Sequence, residues 1–187
     1  MKIMTRYLVL FSLLGLISSG SIYLVFNQNF SSETQNPIKA YLNDVQYYQY
    51  NSAGRLTHFI KSSNVRNYRD KNISEFDNPK IKLYMDQTIP WEITAVHARS
   101  TENDDFLDLW GNVVIHRSKT SKQESITINT SKITMNFKKN NAETNQPVTI
   151  TQPHGTTEGI GATLDFKTQT LKLLSNSKGS YDEQQSL

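Results

Sequence analysis

The chain has 187 residues and a mass of 21.4 kDa, with 20 Lys and Arg, 17 Asp and Glu and no Cys. That length suits one domain with a short appendage, and the missing Cys excludes a disulfide framework, a thiolate zinc site and a cysteine nucleophile. A formal net charge of +3 is too small for a nucleic-acid footprint, so no nucleic-acid partner is expected.

Residues 1–6 read as a short cytoplasmic tail. Residues 7–26 (YLVLFSLLGLISSGSIYLVF) contain no charge. A helix of that length spans roughly 30 Å, the thickness of a bilayer's hydrocarbon core. Lys2 and Arg6 precede it and nothing basic follows until Lys39. The positive-inside rule then puts the N-terminus in the cytoplasm and the bulk of the chain across the membrane. The rival reading is a cleaved signal peptide, with Ser18-Ser19-Gly20 as its small residues. The apolar run resumes at Ile22 and continues to Phe26, which is too long for a typical signal h-region. An uncleaved single-pass anchor is therefore expected. Without Lys2 and Arg6 the remainder carries 18 basic and 17 acidic residues. The pI near 9.0 thus partly reflects the anchor's flank, and the mean hydropathy of −0.54 averages two unlike parts. Residues 27–37 are polar and aperiodic and read as a tether.

From residue 38 to 181 apolar and polar residues alternate. Val45-Gln46-Tyr47, Ile81 to Met85, Trp91 to Ala95, Ile126-Thr127-Ile128, Ile133 to Phe137, Val148-Thr149-Ile150, Leu164-Asp165-Phe166 and Leu171-Lys172-Leu173 follow one another in this pattern. Period 2 with Thr, Val, Ile and aromatics marks half-buried strands. Turn signals separate them, among them Ala53-Gly54, Asn78-Pro79, Gly111-Asn112 and Asn140-Asn141. The fold class predicted is all-β, with residues 182–187 as a tail. A quasi-repeat of 32 to 35 residues places Ala95, Thr130 and Ala162 in matching positions, and likewise Val113 and Val148. A repeat made only of strands predicts stacked strand pairs, open at both edges.

Catalytic chemistry is scarce. His58, His97, His116 and His154 lack metal-ligand spacing, and Asp104, Asp105 and Asp108 flank a turn, where solvated Asp is ordinary. Residues 155–161 (GTTEGIG) precede no helix, so they predict a bend in the stack rather than a phosphate loop. No cofactor and no metal are expected. The apolar interior is open to two readings, a plain core or a lipid-holding groove.

The order of motifs resembles the LptC family of membrane-anchored lipopolysaccharide-transport proteins. Along the chain run the basic start and anchor, Tyr50 to Leu56, Asn67-Tyr68-Arg69-Asp70 leading to Phe76 and Pro79, and Ile89-Pro90-Trp91. Leu109-Trp110-Gly111-Asn112-Val113, Pro147 to Ile150, Gly155-Thr156-Thr157 and Gly179-Ser180-Tyr181 follow. Pro153-His154 departs from the pattern. The resemblance implies a twisted open β-jellyroll, not an enzyme, whose interior carries the acyl chains of lipopolysaccharide. It implies that the anchor's membrane is the cell inner membrane, with receipt of lipid from an inner-membrane ABC transporter (LptB, LptF and LptG) and delivery to the soluble periplasmic jellyroll LptA. Val45, Tyr47, Phe76, Trp91, Ile93 and Leu171 are the expected lipid-lining residues, and Tyr50, Gly155, Leu173 and Tyr181 the expected docking residues. The competing expectation is an anchored β scaffold that binds protein and no lipid.

Overall fold

A computed structural model describes residues 38–68, 73–85, 89–101, 105–121 and 123–181. The anchor, the tether, Lys2 and Arg6, and residues 182–187, lie outside the described residues. Within them the chain forms eleven strands and no helix: β1 (Ile38–Tyr50), β2 (Leu56–Tyr68), β3 (Ser74–Asp77), β4 (Lys80–Leu83), β5 (Trp91–Thr94), β6 (His97–Thr101), β7 (Phe106–Arg117), β8 (Ile126–Asn136), β9 (Asn141–Gln152), β10 (Gly155–Asp165) and β11 (Thr170–Tyr181). All pairings are antiparallel.

The strands stack as successive rungs. β1 pairs with β2, and the far side of β2 pairs with β4 through residues 58–61 and with β3 through residues 64–67. β5 and β6 pair in turn with β4 and β3, and both then pair with β7. β8 to β11 follow in sequence order. β3 and β4 are therefore one rung broken at Asn78-Pro79, and β5 and β6 one rung broken at Ala95-Val96. Pro79 has no N–H for the ladder, which favours a break there.

Every other rung is irregular at the same height. Register shifts fall at Gly111-Asn112 in β7, Ser131 in β8, Asn145-Gln146 in β9, Gly161 in β10 and Asn176 in β11. Asp44 of β1 lies opposite Ser63 at the same level. Six of the nine described residues with positive φ sit on this line: Asp44, Asn78, Gly111, Asn112, Gly161 and Asn176. Gly, Asn and Asp are the residues that tolerate left-handed backbone, so the line is a crease written in the sequence as bulges. Bulges orphan carbonyls, which is costly when they are buried. Side-chain hydroxyls supply the missing donors. Ser62 Oγ, itself buried, lies 2.7 Å from Asn64 O and 2.8 Å from Asp77 O. Thr130 donates to Pro147 O (2.9 Å), Thr144 to Lys132 O (2.6 Å) and Ser175 to Ile160 O (3.1 Å).

The crease divides the sheet into two walls that face each other. His58 of β2 meets Phe137, after β8, edge-on at 5.4 Å. Trp91 of β5 meets Phe166, after β10, at 5.6 Å, and Trp91 Nε1 donates to Phe166 O at 3.3 Å. Arg117 of β7 donates to Gln169 Oε1 of the opposite wall. Between the walls Ile81, Leu83, Ile93, Leu109, Val113, Ile115, Met135 and Phe166 are fully buried.

On the outside of β2, β3 and β6 two carboxylates and two guanidinium groups interlock. Arg66 grips Asp77 with two bonds (2.7 and 3.0 Å), and Arg99 donates to Glu75 at 2.6 Å. The bond from Arg66 holds the Asp77 carboxyl below its ordinary range, against the effect of burial. Burial alone would raise Glu75, but bonds from Arg99 and Tyr68 outweigh it and leave it lowered. Carboxyls lowered in the folded state stabilise it fully above their unfolded values, near 4, and lose that contribution as the pH falls through their folded values. The thermal midpoint is therefore expected to fall between about pH 5 and pH 3, and Asp77→Asn should flatten that dependence in a pH series of melting curves.

Candidate functional site

The alternation that builds β1 and β2 aims Val45, Tyr47 and Gln49 from one strand, and His58, Ile60 and Ser62 from the next, toward the same space. Val65, Phe76 and Leu107 face them from the other wall, with Phe137 beyond. These residues enclose a cavity of about 630 Å³, within the range of small-molecule sites. Burial lowers the pKa of His58, and its Nδ1 pairs with Thr57 Oγ1 at 3.0 Å, so this wall stays uncharged at neutral pH. Charge is kept to the rim, where Lys138 pairs with Asp105. The result is an apolar chamber with a polar lip, suited to aliphatic material.

A second cavity, of about 390 Å³, opens at the other end of the interior, lined by Trp91, Ile126, Leu164 and Leu171 together with Arg117, Glu124 and three glutamines, Gln123, Gln152 and Gln169. Beside this second cavity, with which it shares Leu164 and Leu171, a void of only about 10 Å³ is lined by Ile115, Ile128, Val148 and their neighbours.

Of the expected lining residues, Val45, Tyr47 and Phe76 come together around the first cavity. Trp91 and Leu171 border the second. Ile93 is 0% exposed within the central core and lines neither cavity. His58, Ile60, Leu107 and Phe137 line the first cavity without having been singled out. Phe137 continues the Ile133–Met135 alternation, and Ile60 faces Tyr47 across the β1–β2 ladder; a histidine in the β2 series masked its period.

The described sheet has open edges at both ends, since β1 pairs only with β2 and β11 only with β10. β1 exposes Tyr41, Leu42, Tyr47, Tyr48 and Tyr50, and the other end exposes Ile160, Leu174 and Tyr181. Of the expected docking residues, Tyr50 and Tyr181 are thus exposed. Leu173 packs inward on the core, and Gly155 pairs with Tyr181 at the end of the β10–β11 ladder. Pro153-His154 forms the tight turn between β9 and β10, and Gly161, within the glycine-rich run, is a crease residue. Asp105 pairs with Lys138 and Asp108 accepts from Thr134, while Asp104 lies outside the described residues. No metal-holding cluster occurs among the described residues.

An open antiparallel stack with an apolar chamber between two walls defines an LptA-like jellyroll. A solved structure with this fold is LptH from Pseudomonas aeruginosa, the LptA-homologous periplasmic component of the conserved lipopolysaccharide transport device. It superposes with a TM-score of 0.53 at 8% identity, over 67% of this chain and 94% of that one. A search among curated proteins finds no match. The family described as lipopolysaccharide-assembly, LptC-related, matches residues 7–182, and the chain belongs to it. It is a non-enzymatic component of the lipopolysaccharide transport bridge.

Proposed function

We infer that the chain carries lipopolysaccharide from the inner-membrane ABC transporter to the soluble periplasmic jellyroll protein. The observation that carries this reading is the apolar cavity of about 630 Å³ lying directly beneath the β1 edge. Residues 7–26 anchor the chain in the inner membrane with Lys2 and Arg6 in the cytoplasm. The β1 edge, around residues 45–50, then continues the transporter's periplasmic strands by edge pairing, and lipid enters beside Val45, Tyr47 and Phe76. The β11 edge, around residues 171–181, hands it to LptA.

A multi-acyl lipid exposed to water loses roughly 25 cal/mol for each Å² of apolar surface. A chamber shared between edge-paired jellyrolls avoids that exposure. The walls touch at Trp91–Phe166 and Arg117–Gln169, so lipid moving toward β11 must part them. The driving energy comes from the partner ATPase, since the chain itself is passive.

The full chain, extracted with mild detergent from cells with a working transporter, is expected to retain lipopolysaccharide through purification. A scaffold without cargo would come away free of it, and that result would reject the reading.

A further inference from the structure

Arg117 ends β7 at the second cavity and is 6% exposed. Its guanidinium lies 4.9 Å from the Trp91 ring centre. Nη1 donates to Gln169 Oε1 and Nη2 to Glu124 O at 3.2 Å, while the buried Nε has no hydrogen-bond partner. Among the described residues no carboxylate lies within ion-pair distance of it, and the nearby Glu124 carboxylate is held by Lys119 at 2.7 Å. Arg66 and Arg99, on the outer face, each pair with a carboxylate. Arg117 alone of these three is buried, and it faces neutral groups.

A buried cation without a counter-charge is costly. Burial lowers its pKa, yet an arginine keeps its proton at neutral pH. The space it borders has apolar walls from Trp91, Ile126, Leu164 and Leu171 and amide side chains from Gln152 and Gln169, and the one carboxylate in its lining, that of Glu124, is neutralised by Lys119. A guanidinium suits a phosphate through two parallel hydrogen bonds. We propose that Arg117 is an anion subsite at the far mouth of the interior, which takes the phosphate of an anionic amphiphile as its apolar part lies against Trp91 and Leu171. The phosphate competes with Gln169 for Nη1. Its arrival therefore breaks one of the bonds that hold the walls together, coupling cargo arrival to opening.

The phosphate-bearing cargo follows from the carrier reading, and the experiment separates the two. The purified full chain in detergent is titrated with bisphosphorylated lipid A and with the same lipid dephosphorylated. The wild type is expected to bind the phosphorylated form about tenfold more tightly, or roughly 1.4 kcal/mol. Arg117→Gln should lose that preference and keep its affinity for the dephosphorylated lipid. Arg117→Lys, which keeps the charge but not the fork, should retain part of the preference, and it carries the test if the glutamine variant does not fold. A preference absent from the wild type, or unchanged in the variants, overturns the subsite and leaves the carrier reading standing. Failure of both lipids to bind the wild type defeats the carrier reading itself. Inorganic phosphate that competes as well as lipid A at equal concentration overturns the assignment to an amphiphile.

Discussion

Replacing Phe166 with alanine is expected to destabilise the β domain by about 3–5 kcal/mol, the range for emptying a buried aromatic site. Phe166 is 0% exposed and sits in the turn after β10, yet its ring packs edge-on against Trp91 of β5, four rungs away along the sheet. It thus closes one wall on the other, and the cavity left behind would lie where neither wall can collapse without moving its rung. Against a typical total stability of about 5–15 kcal/mol the loss is large. Phe166→Leu refills part of the volume and should cost about 1–2 kcal/mol. Urea unfolding of the full chain in detergent measures both, with the slope unchanged and the midpoint moved. A loss under about 1 kcal/mol for the alanine variant would mean that the contact between walls contributes little.

Gly155→Val is expected to detach the end of β11 from β10. A Cβ at Gly155 would lie 2.4 Å from Ser180 O and 3.2 Å from Tyr181 Cα. Both are backbone atoms, so no rotamer change relieves the clash, and the strand itself must move. The same substitution at a strand face pointing to open space would cost far less. Gly159→Ala, whose Cβ would come no nearer than 3.0 Å to a Leu173 methyl, should be milder. Amide exchange over residues 178–181 should quicken about tenfold or more in Gly155→Val, a loss of roughly 1.4 kcal/mol of local stability, with β7 and β8 unchanged. Capture of the soluble jellyroll partner should fall with it if β11 is the delivery edge. Unchanged exchange over residues 178–181 would contradict the steric account, and intact capture with a detached β11 would place delivery elsewhere.

The strands were legible because period 2 is a local property. The 32-to-35-residue repeat was legible too, and it has a structural meaning. Ala95, Thr130 and Ala162 each lie beside the crease, so the repeat is the length of two rungs measured from one crossing of the crease to the next in the same direction. Asn78, Gly111-Asn112 and Asn145 mark the returning strands. The site was only partly legible. Alternation tells which residues of a strand share a face, and so it grouped Val45 with Tyr47. Which distant rungs oppose one another depends on how far the crease and the twist close the sheet, and no period encodes that. Hence Ile93, on the correct face, falls where the walls are packed together, whereas His58 and Phe137, far apart in the chain, meet at the cavity. Leu173 shows the same limit at the edge: its alternation partner Leu171 turns it inward, and the exposed apolar side chain there is Leu174.

The most direct measurement of the carrier reading is photo-crosslinking in living cells, with a light-activated amino acid placed in turn at Val45, Phe76 and Tyr48. Val45 and Phe76 line the cavity, and Tyr48 lies on the opposite face of β1, against Phe59. Lipopolysaccharide adducts at Val45 and Phe76 that require transporter ATP hydrolysis, with none at Tyr48, are the predicted result. No adduct at either cavity position while the transporter is active, or equal labelling of all three, would contradict it.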